Sequence, residues 1–279
     1  MNGNIKSDTI TTLRKYGLHA NKRLGQNFLI DEKILSQIIE AADIKAGDMV
    51  VEVGPGIGVL TEKLLQTGAD VIAVEIDRKL SPVLSALEQK YDNLKIIYDD
   101  ILSLDLKSIV GESRFKVVAN LPYYITTPII MHFLESTLNY ERLVVMVQQE
   151  VAERIVSPPG SKAYGVLSVA VQYRTSANIA FTVCPESFIP PPGVDSAVIV
   201  CTKRAVPPVH VNDEQRFFSI VRAAFSQRRK IISNSIKNIG TTAEQTTKWL
   251  EISGIDEKRR AETLSLEEFA SLENNWEKW

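Results

Sequence analysis

The 279-residue sequence has little of what marks several common classes of protein. Its two cysteines, Cys184 and Cys201, show no Cys-x-x-Cys or Cys/His spacing, so the sequence predicts a reduced intracellular protein without structural zinc. It has no run of 18 apolar residues and no signal peptide, and we therefore expect a cytoplasmic protein that makes no membrane contact. The formal net charge of −2 gives no overall nucleic-acid signature, although the local distribution of basic residues matters more.

A glycine-rich turn follows a short apolar segment. Residues 49–53 have the composition of a strand, and Gly54-Pro55-Gly56-Ile57-Gly58 then leads into a segment with helical spacing. Glycines let a ligand approach the backbone closely, and a helix N-terminus presents unpaired N–H groups. The dinucleotide fingerprint needs a glycine where this chain has Val59, and no Gly-Lys-Ser/Thr of a P-loop is present. Gly-x-Gly-x-Gly after an acidic residue, Glu52, is instead the pattern of S-adenosylmethionine sites.

Acidic residues follow the next two strand candidates. Glu75 lies near the end of residues 70–76, about 20 residues beyond the glycine turn, where a carboxylate reaches ribose hydroxyls. Asp100 follows the strand candidate at residues 94–98, where it can accept a hydrogen bond from an adenine amino group while Ile101 covers the ring. Each acid alone could equally be a solvated loop charge. Ligands of open α/β sheets bind beyond the carboxyl ends of the strands, so we expect these residues to converge in one crevice.

Asn120-Leu121-Pro122-Tyr123 follows another apolar segment, residues 115–119. The Asn120 side-chain oxygen and a backbone carbonyl near Leu121 or Pro122 can accept hydrogen bonds from the exocyclic amine of a base. Proline stiffens the turn, and the ring of Tyr123 offers a face on which a base can stack. The alternative is a strand that ends in a proline turn with a half-buried tyrosine. The pattern favours a catalytic turn for methyl transfer to an amino group.

Strand and helix patterns alternate along most of residues 1–204. This alternation predicts an α/β fold with a mainly parallel sheet covered on both faces, as in the Rossmann-like class I S-adenosylmethionine-dependent methyltransferases. The last two strand candidates, residues 179–183 and 196–202, lack a clear intervening helix and predict an antiparallel edge. We expect residues 1–12 to be loose and a basic arm to follow them, with Asp31 capping the next helix.

Residues 212–276 have helical spacing throughout and, after the proline linker at residues 205–208, predict a small all-α C-terminal domain over residues 205–279. This domain contains a basic run, Arg228-Arg229-Lys230. A solvated helix face is the usual explanation of such a run. Beside a site that handles bases, however, a surface that contacts RNA phosphates is about as favourable an interpretation.

Seven stretches together resemble one family, the bacterial small-subunit ribosomal RNA adenine dimethyltransferases. The similarity extends over roughly residues 20 to 265. The stretches are Lys22-Arg23-Leu24-Gly25-Gln26-Asn27-Phe28-Leu29, Glu52-Val53-Gly54-Pro55-Gly56, Glu75-Ile76-Asp77, Asn120-Leu121-Pro122-Tyr123, Ser161-Lys162-Ala163-Tyr164-Gly165, Pro190-Pro191-Pro192-Gly193-Val194-Asp195-Ser196 and Phe225-Ser226-Gln227-Arg228-Arg229-Lys230.

The resemblance implies transfer of methyl groups from S-adenosylmethionine to N6 of two adjacent adenosines in the 3′-terminal hairpin loop of 16S ribosomal RNA, within the small subunit. Each adenosine would be dimethylated, without a metal, and we expect a monomer with a role in subunit biogenesis. The cofactor residues carried over are Asn27, Leu29, Gly54, Glu75, Asp100 and Asn120. Gly56 and Ile101 complete the predicted cofactor site, and Phe188 is expected to pack against a base. Ile189 departs from the family pattern, in which a threonine precedes the three prolines.

Other functions remain open on the sequence alone. The site could act on 23S ribosomal RNA or on DNA adenine, although Asn120 with Leu121 favours RNA. A dehydrogenase is disfavoured by Val59. A protein that mainly binds immature subunits as an assembly factor would need the basic surface but not the catalytic turn.

Overall fold

The computed structural model describes residues 5–21, 25–227 and 229–276, apart from the side chain of Asn238. Arg228 and the residues 22–24 of the basic arm therefore lie outside the described residues. The chain divides into two compact units. The first comprises residues 1–152 and 178–203, and the second comprises residues 153–177 and 204–279.

The described residues contain nine β-strands. In chain order, β1 to β9 are Phe28–Leu29, Met49–Val53, Asp70–Val74, Leu94–Ile97, Phe115–Asn120, Tyr140–Gln148, Thr175–Val183, Phe188–Ile189 and Ser196–Lys203. Seven of them form one sheet in the order β4-β3-β2-β5-β6-β9-β7, and β1 pairs with β8 in a separate antiparallel ribbon.

The same parts of the chain contain twelve α-helices. In chain order, α1 to α12 are Ile5–Lys15, Glu32–Ala42, Val59–Gln66, Ser81–Glu88, Leu106–Val110, Thr126–Glu135, Gln149–Val156, Val166–Arg174, Glu214–Phe225, Ile232–Ser235, Ala243–Ile252 and Leu266–Asn274. None of the described helices combines the length and apolar composition that a membrane crossing requires.

The register of the parallel strands determines where the predicted site residues meet. Val53 of β2 is level with Val74 of β3 on one side and with Ala119 of β5 on the other. The residues that follow these three positions are therefore neighbours at one edge of the sheet. β6 pairs in parallel with β5 and antiparallel with β9, so the mainly parallel sheet with an antiparallel edge is confirmed.

An ion pair lies near the opposite, amino-terminal ends of the strands. Lys116 is level with Val50, and its ammonium donates to Oδ2 of Asp48 at 2.8 Å and to the carbonyl of Asp43. The Lys116 side chain is only 7% exposed. Because a buried ammonium needs partners, this pair ties the start of β2 and the end of α2 to β5.

The second unit is helical apart from the first residues of β7. Trp249 of α11 is fully buried and donates from its indole nitrogen to the Leu272 carbonyl at 2.8 Å. Glu273 of α12 is also buried and accepts a hydrogen bond from Arg216 of α9. Its carboxylate accepts as well from the backbone N–H groups of residues 212 and 213, which places a negative charge at the start of α9.

Residues 153–177, which the sequence pattern placed in the first domain, pack with the second unit. Tyr173 of α8 stacks on Phe217 of α9 with ring centroids 5.0 Å apart, and its ring meets Phe218 edge-on at 5.4 Å. Helix α8 follows a Pro-Pro-Gly break, and its sequence does not indicate which core it packs against. In the structure, it belongs to the second unit because its aromatic side chain packs against α9.

Of two expectations about the start of the chain, one is wrong and the other is confirmed. Residues 1–12 were expected to be loose, but α1 forms from Ile5 to Lys15, and Ile5 and Leu13 pack against core clusters of the first unit. The expected cap of α2 is confirmed, because Oδ1 of Asp31 accepts hydrogen bonds from the N–H groups of Lys33 and Ile34.

Candidate active site at the carboxyl ends of the parallel strands

A pocket of about 1130 Å³, including its open mouth, lies at the carboxyl ends of β2, β3 and β5 in the first unit. Every residue predicted from the sequence for the cofactor or the catalytic turn lines it, together with Phe188. These residues are Asn27, Leu29, Gly54, Gly56, Glu75, Asp100, Ile101, Asn120, Leu121, Pro122, Tyr123 and Phe188. Arg229 and Lys230 are exposed residues of the second unit and are not among the lining residues, and Arg228 lies outside the described residues.

The glycine turn has three glycines with positive φ, and their surroundings differ. A Cβ added to Gly54, at φ +71°, would meet no heavy atom within 4 Å. One added to Gly56 would contact the Phe28 ring at 3.4 Å, and one added to Gly58 would lie 2.7 Å from Cδ2 of Leu87. Gly58 is therefore required for packing against α4, whereas Gly54 leaves open space beside the backbone for a ligand.

Glu75 is held firmly at the end of β3. Its Oε2 accepts a hydrogen bond from the Gly56 N–H at 3.1 Å, and its Oε1 accepts from the Asp77 N–H at 2.8 Å. The side chain is buried, and this burial raises its pKa, with a further contribution from the charge of Asp77. Each oxygen retains acceptor capacity, so the carboxylate can still receive hydrogen bonds from ligand hydroxyls.

Glu52, the last acidic residue before the glycine turn, is a buried carboxyl group of the pocket with one unpaired oxygen. It is 1% exposed, and its Oε2 has no hydrogen-bond partner within the described residues. Burial raises its pKa to about 8; the nearby Thr61 hydroxyl lowers it somewhat, and the charge of Glu75 raises it further. An unpaired buried carboxyl group in a ligand pocket is suited to a cationic partner.

The amide of Asn120 has a fixed orientation. Its Nδ2 donates to the Asn27 carbonyl at 3.3 Å, which leaves Oδ1 as the acceptor available to a ligand. Asn27 is held in turn by a hydrogen bond from its own side chain to the Gly25 carbonyl at 3.1 Å. The loop before β1 therefore sets the orientation of an amide on β5.

The carbonyl groups of the turn after β5 are not equivalent. The Pro122 carbonyl accepts from the Ile125 N–H at 3.1 Å and from the Thr126 hydroxyl at 3.2 Å. Because a carbonyl oxygen has two lone pairs, Pro122 has no further acceptor capacity of good geometry. The Leu121 carbonyl is consequently the better second acceptor beside Asn120 Oδ1.

Two aromatic residues form walls of the pocket. The Tyr123 hydroxyl shares a hydrogen bond of 2.8 Å with the Ser196 hydroxyl, and partial burial raises the pKa of this tyrosine. Phe188 of β8 is level with Leu29 of β1 and is only 3% exposed. Phe188 is therefore a wall held by the β1–β8 ribbon, with little free surface of its own.

Some pocket residues were given no role from the sequence. Gln26 links two parts of the site: its Nε2 donates to Asp77 Oδ2 at 3.0 Å, and its Oε1 accepts from the Asn21 N–H at 2.9 Å. Ile76 and Tyr124 line the pocket although both are strongly exposed. In the sequence, the only signal for Gln26, Ile76 and Tyr124 was that each is adjacent to a residue with a predicted role. Within the described ranges, no group of three or more His, Cys, Asp or Glu side chains could hold a metal ion.

Solved structures share this architecture. A dimethyladenosine transferase from Plasmodium falciparum is 26% identical with a TM-score of 0.75, over 88% of this chain and 95% of that one. The 23S rRNA methyltransferase ErmE is 25% identical with a TM-score of 0.70, over 89% of this chain and 99% of that one.

Curated relatives are closer in sequence and match almost the full length. The ribosomal RNA small subunit methyltransferase A of Enterococcus faecalis is 50% identical over 98% of this chain and 95% of its own. The protein of the same name from Staphylococcus aureus is 46% identical over 95% of this chain and 93% of its own. A family model described as ribosomal RNA adenine dimethylase matches residues 17–278. The chain therefore belongs to the ribosomal RNA adenine dimethylase family.

Proposed function

We propose that the protein transfers methyl groups from S-adenosylmethionine to N6 of adenosines in the ribosomal RNA of the small subunit. The observation that carries this proposal is the strand register, which brings Gly54, Glu75 and the oriented amide of Asn120 to one pocket. The relatives at 44–50% identity are named as small-subunit methyltransferases, which supports 16S ribosomal RNA as the substrate. By the resemblance to the family, the targets are two adjacent adenosines that each receive two methyl groups.

The pocket has suitable partners for each part of the cofactor. Glu75 would accept the ribose hydroxyls, and Asp100, whose Oδ1 holds the Leu102 N–H at 3.0 Å, would accept from the adenine amino group beside Ile101. The open space at Gly54 admits the methionine portion. The unpaired Oε2 of Glu52 suits its ammonium group. The bound cofactor would supply an electrophilic methyl group on a sulfonium.

The Asn120 turn would hold the amine that receives the methyl group. In the first transfer, Asn120 Oδ1 and the Leu121 carbonyl would each accept one N6–H, which fixes the direction of the N6 lone pair; in the second transfer, the single N–H that is left would donate to one of them. These hydrogen bonds strengthen as N6 loses conjugation with the ring and gains positive charge. The Tyr123 ring, fixed through Ser196, would provide the face on which the adenine stacks.

The RNA must present an unstacked adenine to this pocket. Unstacking the target base costs about a few kcal/mol, and the cost is lower in a hairpin loop than in a duplex. Arg229 and Lys230, with Arg228, would contribute phosphate contacts from the second unit. A cytoplasmic location and a part in subunit biogenesis belong to the same proposal, because the substrate is an RNA of the ribosome. The proposal also takes the protein to act as a monomer.

The test is methyl transfer to purified small subunits that lack the modification. Asn120→Ala should abolish incorporation of labelled methyl groups while calorimetric binding of S-adenosylhomocysteine stays within about threefold of wild type. Asn93→Ala is the matched control for general damage, because it also removes an asparagine amide that donates to a backbone carbonyl, but at a position that does not line the pocket. Near wild-type incorporation by Asn120→Ala would refute the catalytic assignment.

The large subunit is the competing substrate, because the 23S rRNA methyltransferase ErmE shares the fold. That structure is 25% identical, whereas the small-subunit relatives reach 50%. Incubating the enzyme with each subunit separately distinguishes the two. Incorporation confined to 23S ribosomal RNA would replace the small-subunit assignment.

A further inference from the structure

Tyr124, directly after the catalytic turn, has an aromatic ring that the proposed chemistry leaves unused. The residue is 58% exposed and lines the same pocket as Asn120. Among the described residues, the other strongly exposed large hydrophobic side chains are aliphatic. They are Ile76, Val194, Val206 and Ile252. An exposed aromatic ring at the mouth of a base-binding pocket therefore needs an explanation that a scattered surface valine does not.

The two consecutive tyrosines are held in different ways. Tyr123 is half-buried, and its hydroxyl is fixed by Ser196, so its ring belongs to the inner wall. The Tyr124 ring lies against the loop before β1: a Cβ added to Gly25 would lie 3.7 Å from Tyr124 Cδ1. One edge of the outer ring is thus supported by a backbone loop, while more than half of its surface faces solvent.

The backbone keeps Tyr124 at the mouth. The Pro122 carbonyl accepts hydrogen bonds from Ile125 and Thr126, which close a turn that spans Tyr124. On the other side, Gly25 has φ +59° and no Cβ, and one added there would contact Pro122 at 3.4 Å. Loop and turn are therefore fitted to each other, and this fit fixes the backbone position of Tyr124 at the mouth.

An adenine that leaves its stack to enter the pocket leaves the neighbouring nucleobase without a stacking partner. Proteins that bind single-stranded RNA commonly replace such a partner with an aromatic ring. We propose that Tyr124 is a substrate-positioning residue whose ring stacks on the nucleobase next to the target adenine. The inference rests on the proposed function and deepens it. For two adjacent adenosines, the base on Tyr124 would be the second target while the first is methylated.

The test compares Tyr124→Phe, which keeps the ring, with Tyr124→Leu, which keeps an apolar side chain but removes the ring. A hairpin RNA carries 2-aminopurine next to the target adenosine, because stacking quenches the fluorescence of this base. Wild type and Tyr124→Phe should quench it, and Tyr124→Leu should not. With unmethylated small subunits, Tyr124→Leu should raise the KM for RNA about 5- to 150-fold, with kcat and the KM for S-adenosylmethionine within about threefold of wild type.

Several results would overturn the inference. Equal quenching by Tyr124→Leu would show that the neighbouring base stacks elsewhere, and a loss of kcat at an unchanged RNA KM would assign Tyr124 to the chemical step. If Tyr124→Leu does not fold, Tyr124→Trp replaces it, and its larger ring should quench at least as strongly as tyrosine. Failure of the proposed function is distinguishable, because wild type itself would then transfer no methyl group to small-subunit RNA.

Discussion

Replacing Glu52 by glutamine should stabilise the protein at neutral pH. Its carboxyl group is 1% exposed, and burial raises its pKa from 4.5 to about 8. The folded state thus binds a proton more tightly than the unfolded state, and the free energy of unfolding falls as the pH rises from 4.5 to about 8. Glutamine has nearly the same shape and no such proton, so the advantage of Glu52→Gln should be small at acidic pH and grow toward pH 8.

The size of the effect follows from the same pKa shift. Each pH unit above the unfolded pKa lowers the free energy of unfolding of wild type by about 1.4 kcal/mol. The advantage of Glu52→Gln is therefore at most about 3 kcal/mol at about pH 7. Water that enters the open pocket reduces it, and we expect about 1–3 kcal/mol, or a rise in Tm of roughly 2–10 °C. Near pH 5 the two proteins should differ by less than about 1 kcal/mol.

Scanning calorimetry of both proteins at about pH 5 and about pH 8, without ligand, measures the difference. Glu62→Gln is the matched control, because hydrogen bonds from Lys90 and Tyr91 outweigh partial burial and lower the pKa of Glu62. That variant should lose stability at neutral pH instead of gaining it. A Tm advantage of Glu52→Gln that is equal at both pH values would refute the argument.

The same substitution should weaken cofactor binding, so that the buried carboxyl group lowers stability but serves function. If Glu52 pairs with the cofactor ammonium, binding to wild type requires the ionised group and releases a proton below about pH 8. Affinity for S-adenosylmethionine should therefore rise between about pH 5 and about pH 7, where the cofactor amino group stays protonated, in wild type and stay level in Glu52→Gln. Calorimetry in buffers of different ionisation enthalpy detects the released proton.

Three further predictions concern other parts of the molecule. Lys116→Ala should lower the free energy of unfolding in urea by about 1–3 kcal/mol, because Asp48 and the Asp43 carbonyl lose a charged donor, yet the folded enzyme should bind cofactor normally. Gly58→Ala should lower the free energy of unfolding by about 1–3 kcal/mol, because of backbone strain and the Leu87 contact. Gly54→Ala should chiefly raise the Kd for S-adenosylhomocysteine. If the two variants changed stability and Kd equally, the different surroundings of the two glycines would not matter. Charge reversal of Arg229 and Lys230 to Glu should flatten the salt dependence of binding to small subunits, and an unchanged slope would mark them as a solvated face.

The predicted alternation of strands and helices was sufficient for the sheet and for the location of the pocket. In a parallel sheet the carboxyl ends of neighbouring strands lie at one edge, so residues far apart in sequence, such as Gly54 and Asn120, could be placed together without coordinates. The N-terminal helix α1 was missed because its composition is polar. Its few apolar residues, such as Ile5, find partners only on the folded core.

The sequence by itself determined the class of sheet, the glycine turn and the chemical types at the strand ends, because these follow from local composition and from short apolar runs that mark buried strands. The tertiary structure decided how those groups are oriented. The Asn27 carbonyl fixes the Asn120 amide, the Gly56 N–H holds the Glu75 carboxylate, and burial leaves one oxygen of Glu52 unpaired. Hydrogen-bond partners and exposure depend on contacts between distant segments, and no local pattern records them.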